Sequence, residues 1–69
     1  MRKVTWMGAR TCDIDQQPIS GTLYDAATRM GPWATLCESH FRDYGRGLGL
    51  GVGQKYEEQP DGTFLKVEG

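Results

Sequence analysis

Two pairs of residues that could bind a metal ion lie at matched spacing in this chain of 69 residues. The first pair is Cys12 and Asp15, the second is Cys37 and His40, and two residues separate the members of each pair. Zinc prefers cysteine thiolates and histidine imidazoles as protein ligands, and it also binds carboxylate oxygens. The pattern predicts one structural zinc ion held tetrahedrally by Cys12, Asp15, Cys37 and His40.

The two cysteines allow two other interpretations. They could be reduced and buried in a metal-free fold, or Cys12 and Cys37 could form a disulfide. We favour zinc because a chain of this size buries too little apolar surface to be stable through packing alone. A structural metal ion supplies the stabilisation that a small core lacks.

A catalytic role for the pair of Cys37 and His40 is disfavoured. No third residue is evident to orient the imidazole, and the chain is too small to enclose a substrate. A zinc ion with four protein ligands also leaves no position for a catalytic water molecule. We therefore expect no catalytic residues and no enzymatic activity.

The segments around these residues predict the elements that position them. The polar segment 12–18 ends in proline and predicts a tight turn, while residues 21–25 and 32–36 predict a β-hairpin. Residues 37–44 lack glycine and proline and precede Gly45, which predicts a short helix with a glycine C-cap. A turn, a hairpin and a helix whose first turn supplies the second ligand pair form the layout of a treble-clef or zinc-ribbon-like finger.

The rest of the chain predicts a connector and a second hairpin. Every second residue from Gly45 to Gly53 is glycine, which predicts an extended segment with one face of bare backbone. Residues 54–58 and 63–67 flank a turn that contains Asp-Gly, as a second hairpin would. We predict a small α+β domain over residues 1–69, with a zinc-finger-like unit (11–45), a glycine-rich connector (46–53) and a C-terminal hairpin (54–69).

Composition restricts the function classes. Eight basic and nine acidic residues give a net charge of -1, which speaks against a protein that binds nucleic acid mainly through phosphate contacts. No apolar stretch reaches the length of a secretory h-region or of a membrane span. Two cysteines are too few for a disulfide-rich secreted scaffold, so we expect synthesis in a reducing cytoplasm and no membrane partner.

Four sequence stretches resemble a group of small tailed-bacteriophage proteins with a zinc-finger-like pattern. They are Cys-Asp-Ile from Cys12, Tyr-Asp from Tyr24, Gly-Pro-Trp-Ala-Thr-Leu-Cys-x-x-His-Phe from Gly31, and Tyr-Gly-x-Gly-Leu-Gly-x-Gly-x-Gly-Gln-Lys-Tyr from Tyr44. The resemblance covers about residues 11–56. Proteins of this group typically carry Cys-x-x-Cys as the first pair, and this chain has Asp15 in place of the second cysteine. The resemblance implies a phage origin.

Two classes of function follow. The first is a non-enzymatic minor structural protein of the virion, a cement or accessory subunit present in multiple copies on capsid or tail proteins. Aromatic residues such as Trp6 and Trp33 suit such an interface if exposed, and we expect contacts from Trp33, Gly47, Leu48, Gly49, Leu50 and Gly51. The alternative is a free zinc-finger module that binds nucleic acid or a host regulatory protein. The support for this alternative is the set of basic residues in the first 46 positions, which would bind phosphate: Arg2, Lys3, Arg10, Arg29, Arg42 and Arg46.

Overall fold

The structure, a computed structural model, describes residues 4–69, in which one antiparallel sheet carries a short helix. In chain order the elements are β1 (Thr22–Ala27), β2 (Trp33–Cys37), α1 (Glu38–Tyr44), β3 (Gly53–Glu58) and β4 (Phe64–Glu68). The strand order in the sheet is β2-β1-β3-β4. The small α+β fold class, both hairpins and the helix are therefore confirmed. Among residues 4–69, no helix has the length and apolar character needed to cross a bilayer.

The central position of β1 joins the two hairpins into one sheet. Leu23 on β1 faces Cys37 on β2 and Tyr56 on β3 in the strand register. The adjacent residues Leu23 and Tyr24 are both buried. Because neighbouring side chains of a strand point to opposite faces, both faces of β1 must be covered.

The helix covers one face of the sheet through a single aromatic contact. The ring of Phe41 stacks on that of Tyr24, with centroids 4.0 Å apart and planes inclined by 6°. Phe41 and Tyr44, three residues apart on the helix, are both half-buried. The helix has no fully buried residue, so its position depends on its few contacts with the sheet and on its two ends.

Short segments cover both edges of the sheet. At the outer edge of β4, Thr5 pairs with Leu65, and the Trp6 amide donates to the Phe64 carbonyl. At the outer edge of β2, the Asp13 amide donates to the Thr35 carbonyl. Covered edges prevent unspecific strand pairing between molecules. The crossing from one edge to the other also brings residue 12 toward the start of the helix.

The prediction of a glycine C-cap is confirmed, since Gly45 caps the helix and its amide donates to the Phe41 carbonyl. Gly45 has φ of −73° and ψ of 149°, which is extended backbone. A Cβ atom on Gly45 would lie 2.5 Å from the Phe41 ring and 2.7 Å from the Phe41 carbonyl oxygen. Glycine is required here because the backbone packs directly against the helix.

The prediction of an extended glycine-rich segment is wrong. The Val52 amide donates to the Gly49 carbonyl at 3.0 Å, and Gly51 has φ of +79°, so residues 49–52 form a tight turn. Gly47 and Gly49 also adopt positive φ. The alternating glycines supply these left-handed conformations, and they do not form the bare face of a strand. Leu48 packs against the core, whereas Leu50 at the tip of the turn is 93% exposed.

Candidate metal centre

Three of the four predicted ligands meet where the knuckle, defined here as residues 12–17, approaches the start of α1. Cys37 is the last residue of β2 and the N-cap of the helix, and His40 lies in the first turn. Cys12 is buried at the beginning of the knuckle. The ligand atoms of Cys12, Cys37 and His40 all lie within 4.8 Å of one another. The matched spacing thus identified residues that the fold brings together.

The histidine ring presents Nδ1 to both sulfur atoms. Nδ1 of His40 lies 3.3 Å from Sγ of Cys12 and 3.3 Å from Sγ of Cys37. Zinc bonds of about 2.3 Å to sulfur and about 2.0 Å to nitrogen place these atoms about 3.5 Å apart at a tetrahedral angle. The two observed separations fit this value. Coordination through Nδ1 would leave the proton on Nε2.

Asp15 lies beside the three ligands and is not a member of the close group. Its Oδ2 atom is 3.8 Å from Nδ1 of His40, and its side chain is 41% exposed. Its Oδ1 atom accepts a hydrogen bond from the Gln17 amide at 3.1 Å. One carboxylate oxygen therefore stabilises the knuckle, and the other faces the cluster from the solvent side.

Backbone amides from the knuckle and from the start of the helix surround the Cys12 sulfur. Burial acts to raise the pKa of the Cys12 thiol, but hydrogen bonds from the backbone of Cys37, Ile14 and Asp15 outweigh it. The His40 side chain acts in the same direction, and the net result is a pKa below the ordinary value. A thiolate that accepts several N–H groups is the form in which cysteine binds metal ions.

In contrast to Cys12, the other two members of the cluster, Cys37 and His40, have raised pKa values. Burial raises the pKa of the Cys37 thiol, and the neighbouring Cys12 and Asp15 raise it further. The hydrogen bond with Cys12 raises the pKa of His40. Two thiolates and a carboxylate so close together repel one another, and a divalent cation between them removes that repulsion.

The donor set fits a zinc ion. Two soft thiolates and one imidazole suit the borderline-soft zinc ion. Outside this close group, Oδ2 of Asp15 lies 3.8 Å from Nδ1 of His40. Both cysteines are free thiols in the structure. Cys12, Cys37 and His40 therefore lie close enough together to hold a metal ion.

The structure also locates the residues predicted to bind a partner. Trp33 begins β2 and is 46% exposed, and Leu50 stands out from its turn. Gly47, Gly49 and Gly51 belong to the same loop, while Leu48 is half-buried against the core. Trp6, the other candidate aromatic, is half-buried and packs on Tyr56 with ring centroids 5.3 Å apart.

Among the residues that the structure describes, the arginines named for nucleic-acid binding lie on different elements. Arg2 and Lys3 lie outside the described residues. Arg10 donates to the Gly62 carbonyl and lies over the Phe64 ring. Arg42 is on the helix, and Arg29 and Arg46 lie in loops at the far end of the sheet.

Two residues of the knuckle contribute to the site in ways that the ligand spacing did not reveal. Asp13 accepts the Thr35 amide through Oδ2 at 2.8 Å, which fixes the knuckle to the edge of β2. Gln16 adopts φ of +62°, a conformation that favours glycine. The polar composition of residues 12–18 indicated a turn, but no residue there is a glycine that would mark its left-handed position.

Comparisons with protein-family models, with curated proteins and with solved structures find no match to this chain.

Proposed function

We propose that this protein is a non-enzymatic structural module whose treble-clef-like half is held together by zinc. The observation that carries the proposal is the convergence of Cys12, Cys37 and His40, whose ligand atoms lie within 4.8 Å of one another. Asp15 provides the fourth ligand through Oδ2. With four protein ligands the zinc ion has no position for a catalytic water molecule, so its role is to stabilise the fold.

The position of the ligands explains what the metal would stabilise. Cys12 comes from the knuckle, while Cys37 and His40 come from the junction of β2 and α1. The helix buries no residue completely and needs a further tie to the rest of the domain. A zinc ion joins the helix start, the strand end and the knuckle, which lie far apart in the sequence.

We further propose that the protein serves as a cement or accessory subunit of a bacteriophage particle, in several copies. The support is the resemblance of residues 11–56 to small phage proteins, the net charge of -1 and the exposed Trp33 and Leu50. Mass spectrometry of purified virions tests this role. We expect this protein in amounts stoichiometric with other virion proteins. Its absence from complete, purified virions would contradict the role.

The metal part of the proposal has a separate test. Elemental analysis of the purified protein should give about one zinc per chain. His40→Ala should lose the zinc, whereas the matched control Ser39→Ala, which changes an exposed neighbour on the same helix turn, should keep it. Zinc retained equally by both variants would contradict the assignment of His40.

The alternative of a free nucleic-acid-binding finger has less support. The described arginines do not form one basic face, since Arg10 packs on Phe64 and Arg42 lies on the helix. Retention on DNA at about 50 mM salt, lost as salt rises, would favour this alternative. We expect no such retention.

A further inference from the structure

The two sulfur atoms of the candidate metal centre lie within reach of each other. The Sγ atoms of Cys12 and Cys37 are within 4.8 Å, and each lies 3.3 Å from Nδ1 of His40. A disulfide needs its sulfur atoms about 2.05 Å apart, so the gap to be closed is less than about 3 Å. Rotation of the side chains between staggered positions moves a sulfur atom through such a distance. The same pair of thiols can therefore bind zinc or form a disulfide.

The backbone holds the two cysteines near each other without help from a metal ion. Asp13 follows Cys12 in the chain, and Thr35 lies two residues before Cys37. The Asp13 amide donates to the Thr35 carbonyl at 2.8 Å, and Oδ2 of Asp13 accepts the Thr35 amide at 2.8 Å. Because no metal ligand takes part in these two hydrogen bonds, they keep the cysteines close when zinc leaves.

The two thiols differ in their access to solvent. Cys12 is 1% exposed, whereas Cys37 is half-buried. On the solvent side of the cluster, the side chain of Asp15 is 41% exposed. A small oxidant therefore reaches the sulfur of Cys37 before that of Cys12. The chain contains two cysteines in all, so an oxidised Cys37 has Cys12 as its single thiol partner within the molecule.

We propose that the metal centre is a redox switch, in which a peroxide converts Cys12 and Cys37 into a disulfide and expels the zinc ion. The inference rests on the proposed zinc site and adds a form of regulation to it. The zinc-bound pair and the disulfide, which the sequence leaves open as alternatives, are then two states of one site.

The reaction balances with hydrogen peroxide as the oxidant. The Cys37 thiolate attacks one peroxide oxygen, so that an S–O bond forms, the O–O bond breaks and hydroxide leaves. The Cys12 thiolate then attacks the Cys37 sulfur, which forms the S–S bond and expels a second hydroxide. Two electrons pass from the sulfur atoms to the peroxide. Zinc leaves because a disulfide offers no thiolate, and His40 and Asp15 alone make a weak site.

The disulfide keeps one connection of the metal centre and releases another. It joins the knuckle to Cys37, which is the N-cap of α1, so the loop that zinc closed stays closed. His40, in the first turn of the helix, loses its tie to the knuckle. The stacking of Phe41 on Tyr24 still holds the helix on the sheet. Oxidation therefore frees the imidazole and the zinc ion while the domain remains folded.

Treatment of the zinc-loaded chain with hydrogen peroxide tests the proposal. A chromogenic chelator follows the zinc, and we expect release of about one zinc per chain. Trypsin cleaves after Arg10, Arg29 and Arg42, so peptides 11–29 and 30–42 should appear joined, about 2 Da lighter than the two free peptides together. Met30 is 60% exposed, and its gain of about 16 Da shows that peroxide reached the protein. Dithiothreitol and zinc together should restore the loaded protein.

A variant and a stability measurement complete the test. Cys37→Ser should give no joined peptides although its Met30 is oxidised as in the parent. Because the disulfide closes the same loop as zinc, the oxidised, zinc-free parent should have a Tm at least about 10 °C above that of the reduced, zinc-free parent. Zinc retained after oxidation of Met30, sulfinic acid in place of joined peptides, disulfides between two molecules, or an oxidised form no more stable than the reduced one would overturn the proposal.

The zinc content before oxidation separates this proposal from the one on which it rests. A reduced, folded chain that binds no zinc overturns the metal site and the switch together. A zinc-loaded chain that keeps its zinc, or loses it without joining Cys12 to Cys37, overturns the switch alone.

Discussion

Removal of zinc should lower the stability of the domain by an amount that the ligand positions allow us to work out. The metal links Cys12 to Cys37 and so closes a loop of about 26 residues. In the loop-entropy account, a cross-link of that span disfavours the unfolded chain by about 3.5 kcal/mol at 25 °C. A domain of this size has a total unfolding free energy of roughly 3 to 10 kcal/mol, so the metal-free chain should be marginal.

The assay is thermal unfolding followed by circular dichroism, with zinc or with a chelator, under a reductant that keeps the cysteines as thiols. For a domain of 60–100 residues, a loss of this size lowers Tm by roughly 15–25 °C. The control is a Cys12→Ser and Cys37→Ser double variant, whose Tm should be equal in both conditions. An unchanged Tm of the parent chain after verified removal of zinc would refute the reasoning.

Three further changes test particular residues. Asp15→Cys should bind zinc more tightly than the parent and Asp15→Ala less tightly, as measured by competition with a chromogenic chelator, because thiolate is the better zinc ligand; equal affinities would exclude Asp15 from the coordination sphere. Gln16→Gly should raise the unfolding free energy by about 0.5–1 kcal/mol in denaturant titrations, since φ of +62° strains a residue with a side chain; a loss of stability would contradict this. Burial raises the pKa of Asp25, so the folded state binds the proton more tightly and stability falls as pH rises through that pKa. Asp25→Asn should therefore be more stable than the parent at pH 7, with the difference shrinking at acidic pH, and a difference independent of pH would count against it.

The local elements could be predicted because their signals are local. The segment 37–44 has a helical composition with Glu38 early and Arg42 late, and the structure places the helix at Glu38–Tyr44. The Asp61-Gly62 pair predicted the turn of the second hairpin, and Gly62 has φ of +89° there. Such features depend on the conformations that single residues favour.

The arrangement of the elements could not be predicted in the same way. Pairing of β1 with β3 joins segments about 30 residues apart. The sequence of neither strand indicates which other strand it pairs with. The glycine alternation was compatible with a bare strand face and with repeated positive φ, and only the tertiary contacts select the second. Gly53 illustrates the reason, because a Cβ there would lie 2.8 Å from Cβ of Ala26 on the neighbouring strand.

The candidate ligands were predicted more successfully than their geometry. Spacing identified Cys12, Cys37 and His40 because each pair lies on one short local element. It could not show that Asp15 uses one oxygen to hold Gln17 and faces His40 with the other. Those details depend on the left-handed Gln16 and on the hydrogen bond of Asp13 to the edge of β2.

X-ray absorption at the zinc edge of the purified, zinc-loaded protein tests the central claim most directly. We expect a shell of two sulfur atoms at about 2.3 Å and two nitrogen or oxygen atoms at about 2.0 Å, with the imidazole signature lost in His40→Ala. A shell of nitrogen and oxygen atoms without sulfur, or a protein that binds no zinc while folded, would contradict the claim.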